Sequence, residues 1–334
     1  MSEDRSAGSF RVVEVRDRVV PAAGKTVIEE PDPGRCGELF VRHYRDIVDA
    51  VRDSPALSVV VVALDEVGIA ARAVLPAVPS HPQHATVGRH ERAEVSLGGD
   101  PALALRHLLV LVEPLGERLR YRVLDLRTEA GMCDEHGARL DAFDADEPAL
   151  VQVGRHVILF VPRNHPALGW STDPRVAWRN LPQARVRETR HVPAAPADPH
   201  RTVLETPSLE VLGQVSLLAE LPESAVDGLV VALLEIDSPG GALRKAIGRK
   251  HARSGVLLGR YERCDGTGSG VMDQPAVSRV HAVLVAVGRQ MYVVDLGSSN
   301  GTWIGDKKVG LRAVTSGEEI RLGRHGAVAR WISP

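Results

Sequence analysis

The chain has 334 residues, 44% hydrophobic and 25% charged, and its 41 basic and 43 acidic residues leave a formal charge of -2. This length allows two or three separate cores, and the near-neutral balance argues against nucleic acid or an anionic membrane as a partner. The isolated cysteines Cys36, Cys133 and Cys264 predict neither a disulfide framework nor a zinc site. With an acidic, polar N-terminus and no apolar run of about 18 residues, the sequence predicts a soluble, cytoplasmic protein.

The predicted elements, taken in chain order, are mostly short strands. A tail over residues 1–36 is followed by a predicted helix over 37–56, where apolar residues such as Phe40 and Tyr44 recur at helical spacing. Valine-rich runs bounded by Gly, Pro, Asp and Asn then favour strands over helices and predict an all-β fold. These runs lie at 58–64, 107–112, 120–126, 156–161, 229–236, 280–287 and 291–296.

Residues 164–224 predict a proline-rich linker, in which a helix is possible over 208–221. Trp170 and Trp178 lie in polar surroundings here, which is compatible with docking onto a domain or with surface aromatics in a loop.

An internal repeat is the strongest organisational signal in the chain. One pattern occurs twice, and its two copies align almost without gaps. The aligned segments are 87–94 with 258–265, 101–112 with 275–286, 121–131 with 291–301, and 153–156 with 322–325. The repeat predicts two related β-sandwiches, at 57–163 and 225–334.

The second copy carries three motifs in a fixed order. They are Gly259-Arg260, the segment SRVH at 278–281, and the segment DLGSSNGT at 295–302. In this order they resemble the forkhead-associated (FHA) domain, a phosphothreonine-binding family. The resemblance covers residues 225–334 and implies a β-sandwich whose binding loops lie at one end.

The resemblance also implies a role for each motif residue. Arg260, Ser278 and Ser299 would contact the phosphate, while Arg279 and Asn300 would contact the peptide backbone. The chemistry fits, because a guanidinium offers two parallel N–H groups to a phosphate and hydroxyls add short hydrogen bonds. The residues implied to hold the loops are Gly259, His281, Gly301 and Thr302. Gly305-Asp306 departs from the family, which often has Asn-Gly at this turn.

Three catalytic or ligand-binding alternatives are weaker. The segment 297–301 matches the Gly-x-Ser-x-Gly elbow of serine hydrolases with Ser299 as nucleophile, but a strand pattern follows where the elbow requires a helix. The glycine-rich segment 266–270 lacks the Gly-Lys-Ser/Thr of a P-loop. His81 and His84 have metal-ligand spacing without a nearby carboxylate or cysteine. The sequence therefore predicts no enzyme, no metal site and no cofactor.

The first copy keeps the scaffold residues and one arginine but not the other ligand groups. It retains Gly88, Arg89, His107, Asp125 and Gly131. The positions of Ser278, Arg279, Ser299 and Asn300 are taken by Ala104, Leu105, Glu129 and Ala130. Losing a hydroxyl donor to a charged acceptor costs about 1.5–3 kcal/mol, and a carboxylate repels the anion. Residues 57–163 are therefore expected to form a degenerate FHA-like sandwich.

The functional hypothesis is a non-catalytic adaptor that binds a threonine-phosphorylated protein or a Ser/Thr kinase. An arginine-rich basic set with few lysines suggests a GC-rich bacterial genome. The alternative is a phosphate-independent scaffold that uses both sandwiches. A further hypothesis is an intramolecular ligand around Thr202 and Thr206, just upstream of the second copy.

Overall fold

The computed structural model describes residues 32, 34–78, 81–115, 118–163, 170–181, 187–190, 230–266 and 270–333. The chain forms two compact units, Met1–Arg190 and His191–Pro334. Strands dominate both units, and nearly all of their pairings are antiparallel. The predicted all-β fold is confirmed.

The first unit contains three short helices and a continuous path of paired strands. The helices are α1 (Arg35–Arg42), α2 (Tyr44–Arg52) and α3 (Pro174–Asn180). The strands are β1 (Ser58–Asp65), β2 (Gly68–Pro76), β3 (Gln83–Gly88), β4 (Val95–Ser96), β5 (Leu108–Leu115), β6 (Arg118–Asp125), β7 (Met132–Cys133), β8 (Arg139–Ala145), β9 (Ala149–Val153), β10 (His156–Pro162) and β11 (Arg187–Arg190). They pair in the order β2-β1-β10-β9-β7-β8-β6-β5-β3-β4, and β11 pairs with β8.

The second unit is a sandwich of two separate sheets. Its elements are β12 (Val230–Ser238), β13 (Gly241–Gly248), α4 (Arg249–Ser254), β14 (Val256–Leu258), β15 (Ala282–Val287), β16 (Gln290–Asp295), β17 (Thr302–Ile304), β18 (Lys307–Val309), β19 (Leu311–Val314), β20 (Glu319–Leu322) and β21 (Val328–Ile332). One sheet has the order β13-β12-β21-β20-β17-β18, and the other has the order β14-β15-β16-β19. Their inner faces share one apolar core, which includes Leu234, Leu284, Val293 and Trp331.

The two units share one topology, so the predicted repeat is present in the fold. In the first unit β1 pairs with β2 and β10, and β3, β5, β6 and β8 follow one another; in the second, β12 pairs with β13 and β21, and β14, β15, β16 and β19 follow one another. The copies differ at β7. This strand pairs with β9 and with β8, and β8 also pairs with β6, so the two layers of the first unit are joined. Its counterpart β17 pairs with β18, which is separate from β19 in the other sheet.

Strand β1 is buried on both faces, which explains its unbroken valine run. Val59, Val61 and Ala63 belong to the core enclosed by the strands. Val60 and Val62 pack instead in a second cluster with residues of the three helices. The helices therefore cover one outer face of the first unit.

The tryptophans of the predicted linker dock on this unit. Trp170 and Trp178 pack with Phe40 of α1, and the ring centroids of Phe40 and Trp178 are 5.5 Å apart. The hydroxyl of Tyr44 donates to the carbonyl of Ser171 at 2.5 Å. Of the two interpretations of these aromatics, the docked one describes the structure.

The single helix predicted over 37–56 is instead two helices, α1, which begins earlier at Arg35, and α2, and a turn at His43 separates them. Within the segment assigned to the linker, 164–224, α3 and β11 belong to the first unit. The tail up to residue 31 and the helix considered over 208–221 lie outside the described residues. Among the residues that are described, no helix has the length and apolar character that a membrane span requires.

Candidate functional site

The three motifs of the second unit meet at one end of its β14-β15-β16 sheet. Because neighbouring strands are antiparallel, the end of β14, the start of β15 and the end of β16 lie side by side. Gly259-Arg260 follows β14, the segment 278–281 precedes β15, and the segment 296–301 follows β16. The fold thus brings together residues that are far apart in sequence.

His281 ties these loops together from a fully buried position. Its Nδ1 accepts the backbone N–H of Ser278 at 3.0 Å, and its Nε2 lies 3.1 Å from the carbonyl oxygen of Gly301. Its own N–H donates to Leu258 at 2.8 Å, and its carbonyl accepts from Leu296 at 3.0 Å. A buried imidazole whose two ring nitrogens are both bonded within the protein is compatible with the loop-holding role that the resemblance implies.

Gly259 is required by a close approach of two backbone segments. A Cβ at this position would overlap the carbonyl oxygen of Arg279 and would lie 2.9 Å from its carbonyl carbon. Both neighbours are backbone atoms, so no side-chain rotation relieves the clash. Because of this approach, the N–H of Arg260 donates to the carbonyl of Ser278 at 3.2 Å.

Asp295 and Ser298 shape the third loop, although neither is among the residues to which the resemblance gives a role. The carboxylate of Asp295 accepts the backbone N–H of Ser298 at 2.9 Å, the hydroxyl of Ser298 at 2.6 Å and the hydroxyl of buried Thr302 at 2.7 Å. The signal for this turn was available, since an Asp three residues before a Ser commonly caps its own turn.

The groups assigned to the ligand are accessible, in contrast to the buried scaffold. Arg260, Arg279, Ser299 and Asn300 are exposed, and Ser278 is half-buried. The backbone N–H of Ser299 donates to the hydroxyl oxygen of Ser278 at 3.1 Å, so these two serines are adjacent. Asn300 is held by its side-chain amide, which donates to the carbonyl of Ala276 at 3.0 Å. The five residues thus lie on three adjacent loops at one end of the sheet.

The first unit repeats the main hydrogen bonds of this scaffold. The N–H of Arg89 donates to Ala104 at 3.1 Å, the N–H of His107 to Val87 at 2.7 Å, and Nε2 of His107 lies 2.9 Å from the carbonyl oxygen of Gly131. A Cβ at Gly88 would overlap the carbonyl of Leu105, as one at Gly259 would overlap that of Arg279.

Its ligand loops differ as the sequence predicts. Glu129 is exposed at the position of Ser299. Arg127 adopts a positive φ of 55° where the second unit has Gly297 at 69°. Such a φ strains a non-glycine residue, yet the turn persists because Asp125 accepts from the N–H of Thr128 at 3.1 Å and from its hydroxyl at 2.9 Å.

Burial sets opposite pKa shifts on two groups of this first unit that share Thr128. Desolvation lowers the pKa of His107 to about 4, despite its bond to the Gly131 carbonyl. Desolvation raises the pKa of Asp125 to about 6, although the hydrogen bonds from Thr128 act in the other direction. Both groups therefore favour their neutral forms in the folded state.

Between about pH 4 and 6, His107 and Asp125 change the stability of the first unit in opposite directions. The contribution of neutral His107 is present above its ordinary pKa of about 6.5 and is lost as the pH falls towards 4, whereas that of protonated Asp125 is lost as the pH rises through 6.

Asp125→Asn should remove the carboxyl contribution and leave only the loss of stability that protonation of His107 causes. The free energy of unfolding of the first unit should then fall more steeply below pH 6.5 than in the parent. Hydrogen exchange of the amides of β5 and β6 in the full chain measures it. Parallel profiles would contradict these shifts.

Comparison with known proteins finds a family match within the second unit. Residues 256–323 match the family model of the FHA domain. The chain contains an FHA domain. The resemblance drawn from the three motifs is therefore confirmed, and FHA domains are non-catalytic binding modules. No match is found among curated proteins.

Several solved structures are similar to FHA-sized portions of the chain. The Slr1951 protein from Synechocystis sp. is 26% identical over 32% of this chain and 98% of its own, with a TM-score of 0.27. The FHA domain of the CT664 protein from Chlamydia trachomatis is 17% identical over 31% of this chain and 98% of its own, with a TM-score of 0.27. Mycobacterium tuberculosis EmbR, in complex with a low-affinity phosphopeptide, is 24% identical over 36% of this chain and 29% of its own, with a TM-score of 0.26.

The serine hydrolase alternative conflicts with the local structure at Ser299. The segment that follows this residue forms strand β17 and not the helix that a nucleophile elbow requires.

Proposed function

We propose that the chain is a non-catalytic adaptor that binds a threonine-phosphorylated protein through Arg260, Ser278 and Ser299. The observation that carries this proposal is the contact between the two serines, in which the backbone nitrogen of Ser299 lies 3.1 Å from the hydroxyl oxygen of Ser278. The carbonyl of Ser278 in turn accepts from the N–H of exposed Arg260 at 3.2 Å. Within the described part of the chain, the guanidinium groups of Arg260 and Arg279 make no ion pair, so their charge is available to a ligand.

The chemistry suits a phosphate dianion. A phosphate that leaves water must regain several strong donors, and charge-assisted bonds from a guanidinium fork are the strongest that a side chain provides. Arg260 supplies the fork, and the hydroxyls of Ser278 and Ser299 supply further donors. Arg279 and Asn300 lie next to these groups and are assigned to the peptide backbone. Preorganisation by His281 and Asp295 lowers the cost of ordering the loops on binding.

The test is a titration of the full chain with a phosphothreonine peptide library and with the same library lacking phosphate. Binding that requires the phosphate supports the proposal. Equal binding of both libraries would contradict it and would favour the alternative, a phosphate-independent scaffold that uses both sandwiches.

The first unit is not expected to recognise phosphate, because Glu129 replaces a donor with an anion and Ala104 removes a hydroxyl. In the full chain carrying Arg260→Ala, which leaves only the first unit's Arg89 at the equivalent position, phosphorylated and unmodified libraries should bind equally. A remaining phosphate preference that disappears in Arg260→Ala/Arg89→Ala would show that the first unit binds phosphate after all.

Other parts of the proposal rest on the sequence. A place in Ser/Thr kinase signalling, a bacterial origin and a cytoplasmic location stay predictions. Thr202 and Thr206, considered as an intramolecular ligand, lie outside the described residues and also stay a hypothesis.

A further inference from the structure

Trp303 forms a platform directly beside the candidate site. Its indole Nε1 donates to the carbonyl of Asn300 at 2.9 Å, which holds the ring against the loop that carries Ser299. The guanidinium of Arg324 lies over this ring, 5.7 Å from its centroid. Arg324 therefore lies at the edge of the site. It belongs to the repeated segment 322–325, to which the resemblance assigns no ligand contact.

Lys308 approaches the edge of the candidate site from the β18 side of β17. It is the cross-strand partner of Trp303 in the β17–β18 hairpin. Its aliphatic stem lies on Gly301, where a Cβ would overlap Cε of the lysine and would lie 2.9 Å from Cδ. The absence of a side chain at Gly301 thus creates the space that brings the lysine stem against the turn next to Asn300.

The first unit has a cation in the corresponding position, and the comparison is informative. Arg139 pairs with Cys133 in the register in which Lys308 pairs with Trp303, and its guanidinium lies on Gly131. That guanidinium is occupied, because it donates to the carbonyl of Thr128 at 2.8 Å and lies 3.9 Å from the carboxylate of Asp125.

In the second unit this cation is available for a ligand. The ammonium group of Lys308 makes no hydrogen bond or ion pair with any residue that the structure describes, and the side chain is exposed. The acid of the same hairpin, Asp306, lies 3.7 Å from Arg321 instead. A lysine stem held in place with a free ammonium group gives a positive point beside the phosphate site.

We propose that Lys308 and Arg324, which flank β17 from its two sides, extend the phosphothreonine site and select an acidic side chain of the peptide near the phosphate. This inference rests on the proposed function. The ligand would be a phosphothreonine peptide with an Asp or Glu a few positions away, held by charge on the Trp303 platform.

The experiment uses the full chain and a peptide library in which phosphothreonine is fixed and the flanking positions are varied. The parent should enrich Asp or Glu at one flanking position. With the selected peptide resynthesised, replacing that acid by Ala should weaken binding by about fivefold, the upper range for exposed ion pairs. K308Q/R324Q should bind both peptides equally, with the parent's affinity for the Ala peptide.

Lys307→Gln is the matched control, because it removes the same charge from the neighbouring residue on the opposite face of β18. It should leave the acidic preference unchanged. If the library binds in a phosphate-dependent manner without acidic enrichment, or if K308Q/R324Q keeps the preference, this inference is wrong and the phosphate site stands. A library that binds equally with and without phosphate would overturn both.

Discussion

Replacing Arg260 by alanine should weaken binding of a phosphothreonine peptide by about a hundredfold or more, while the fold stays intact. The guanidinium is exposed, and only the backbone N–H of this residue takes part in the scaffold, through its bond to Ser278 at 3.2 Å. A bidentate charge-assisted contact with phosphate is worth about 3 kcal/mol, which corresponds to that loss of affinity. Fluorescence polarisation with a labelled peptide measures the change directly.

The chain supplies its own control for this substitution. Arg89 has the same place in the first unit, with its N–H bonded to Ala104 at 3.1 Å. Arg89→Ala should therefore leave the affinity unchanged. An Arg260→Ala variant that binds as well as the parent would show that the phosphate lies elsewhere.

Gly259→Ala should both destabilise the second unit and abolish most binding, although it adds only a methyl group. The methyl would overlap the carbonyl oxygen of Arg279 and approach the backbone nitrogen of His281 to 3.1 Å. Relief requires the 278–281 segment to move, and forced backbone shifts of this kind cost about 1–3 kcal/mol. Because that segment carries Ser278 and Arg279, we expect affinity to fall at least tenfold in the same titration.

Gly88→Ala distinguishes the loss of stability from the loss of peptide affinity. This glycine faces an equivalent overlap with Leu105, so its substitution should destabilise the first unit by a similar amount. Denaturant unfolding of the two variants should thus show comparable losses, each confined to its own unit, whereas only Gly259→Ala should lose affinity. Normal binding by Gly259→Ala would contradict the role given to this close approach.

The strands and the motif positions could be predicted from sequence because their signals are local. Valine runs with turn residues at their ends lie within a few residues of each other, and the three motifs keep their order along the chain. The run over 58–64 forms β1, and the run over 280–287 contains β15. Strand β16 is shifted by one residue from the run over 291–296.

What sequence reasoning left open or missed depends on contacts between distant residues. The docking of Trp178 against Phe40 joins a segment assigned to the linker to the first helix, and no local pattern reveals that pairing. Lys308 and Arg324 flank the site only because β18 and β20 pair on either side of β17. Their placement becomes visible through strand register and not through spacing in the chain.

The most direct test of the central claim is to map the bound phosphate by amide chemical shifts in the isotope-labelled full chain. On addition of a phosphothreonine peptide selected from the library, the largest shifts should occur at residues 259–260, 278–279 and 298–301. The amide chemical shifts of the equivalent residues 88–89, 104–105 and 128–131 should not change. Shifts concentrated in the first unit, or equal shifts with the unphosphorylated peptide, would contradict the assignment of the phosphate to Arg260, Ser278 and Ser299.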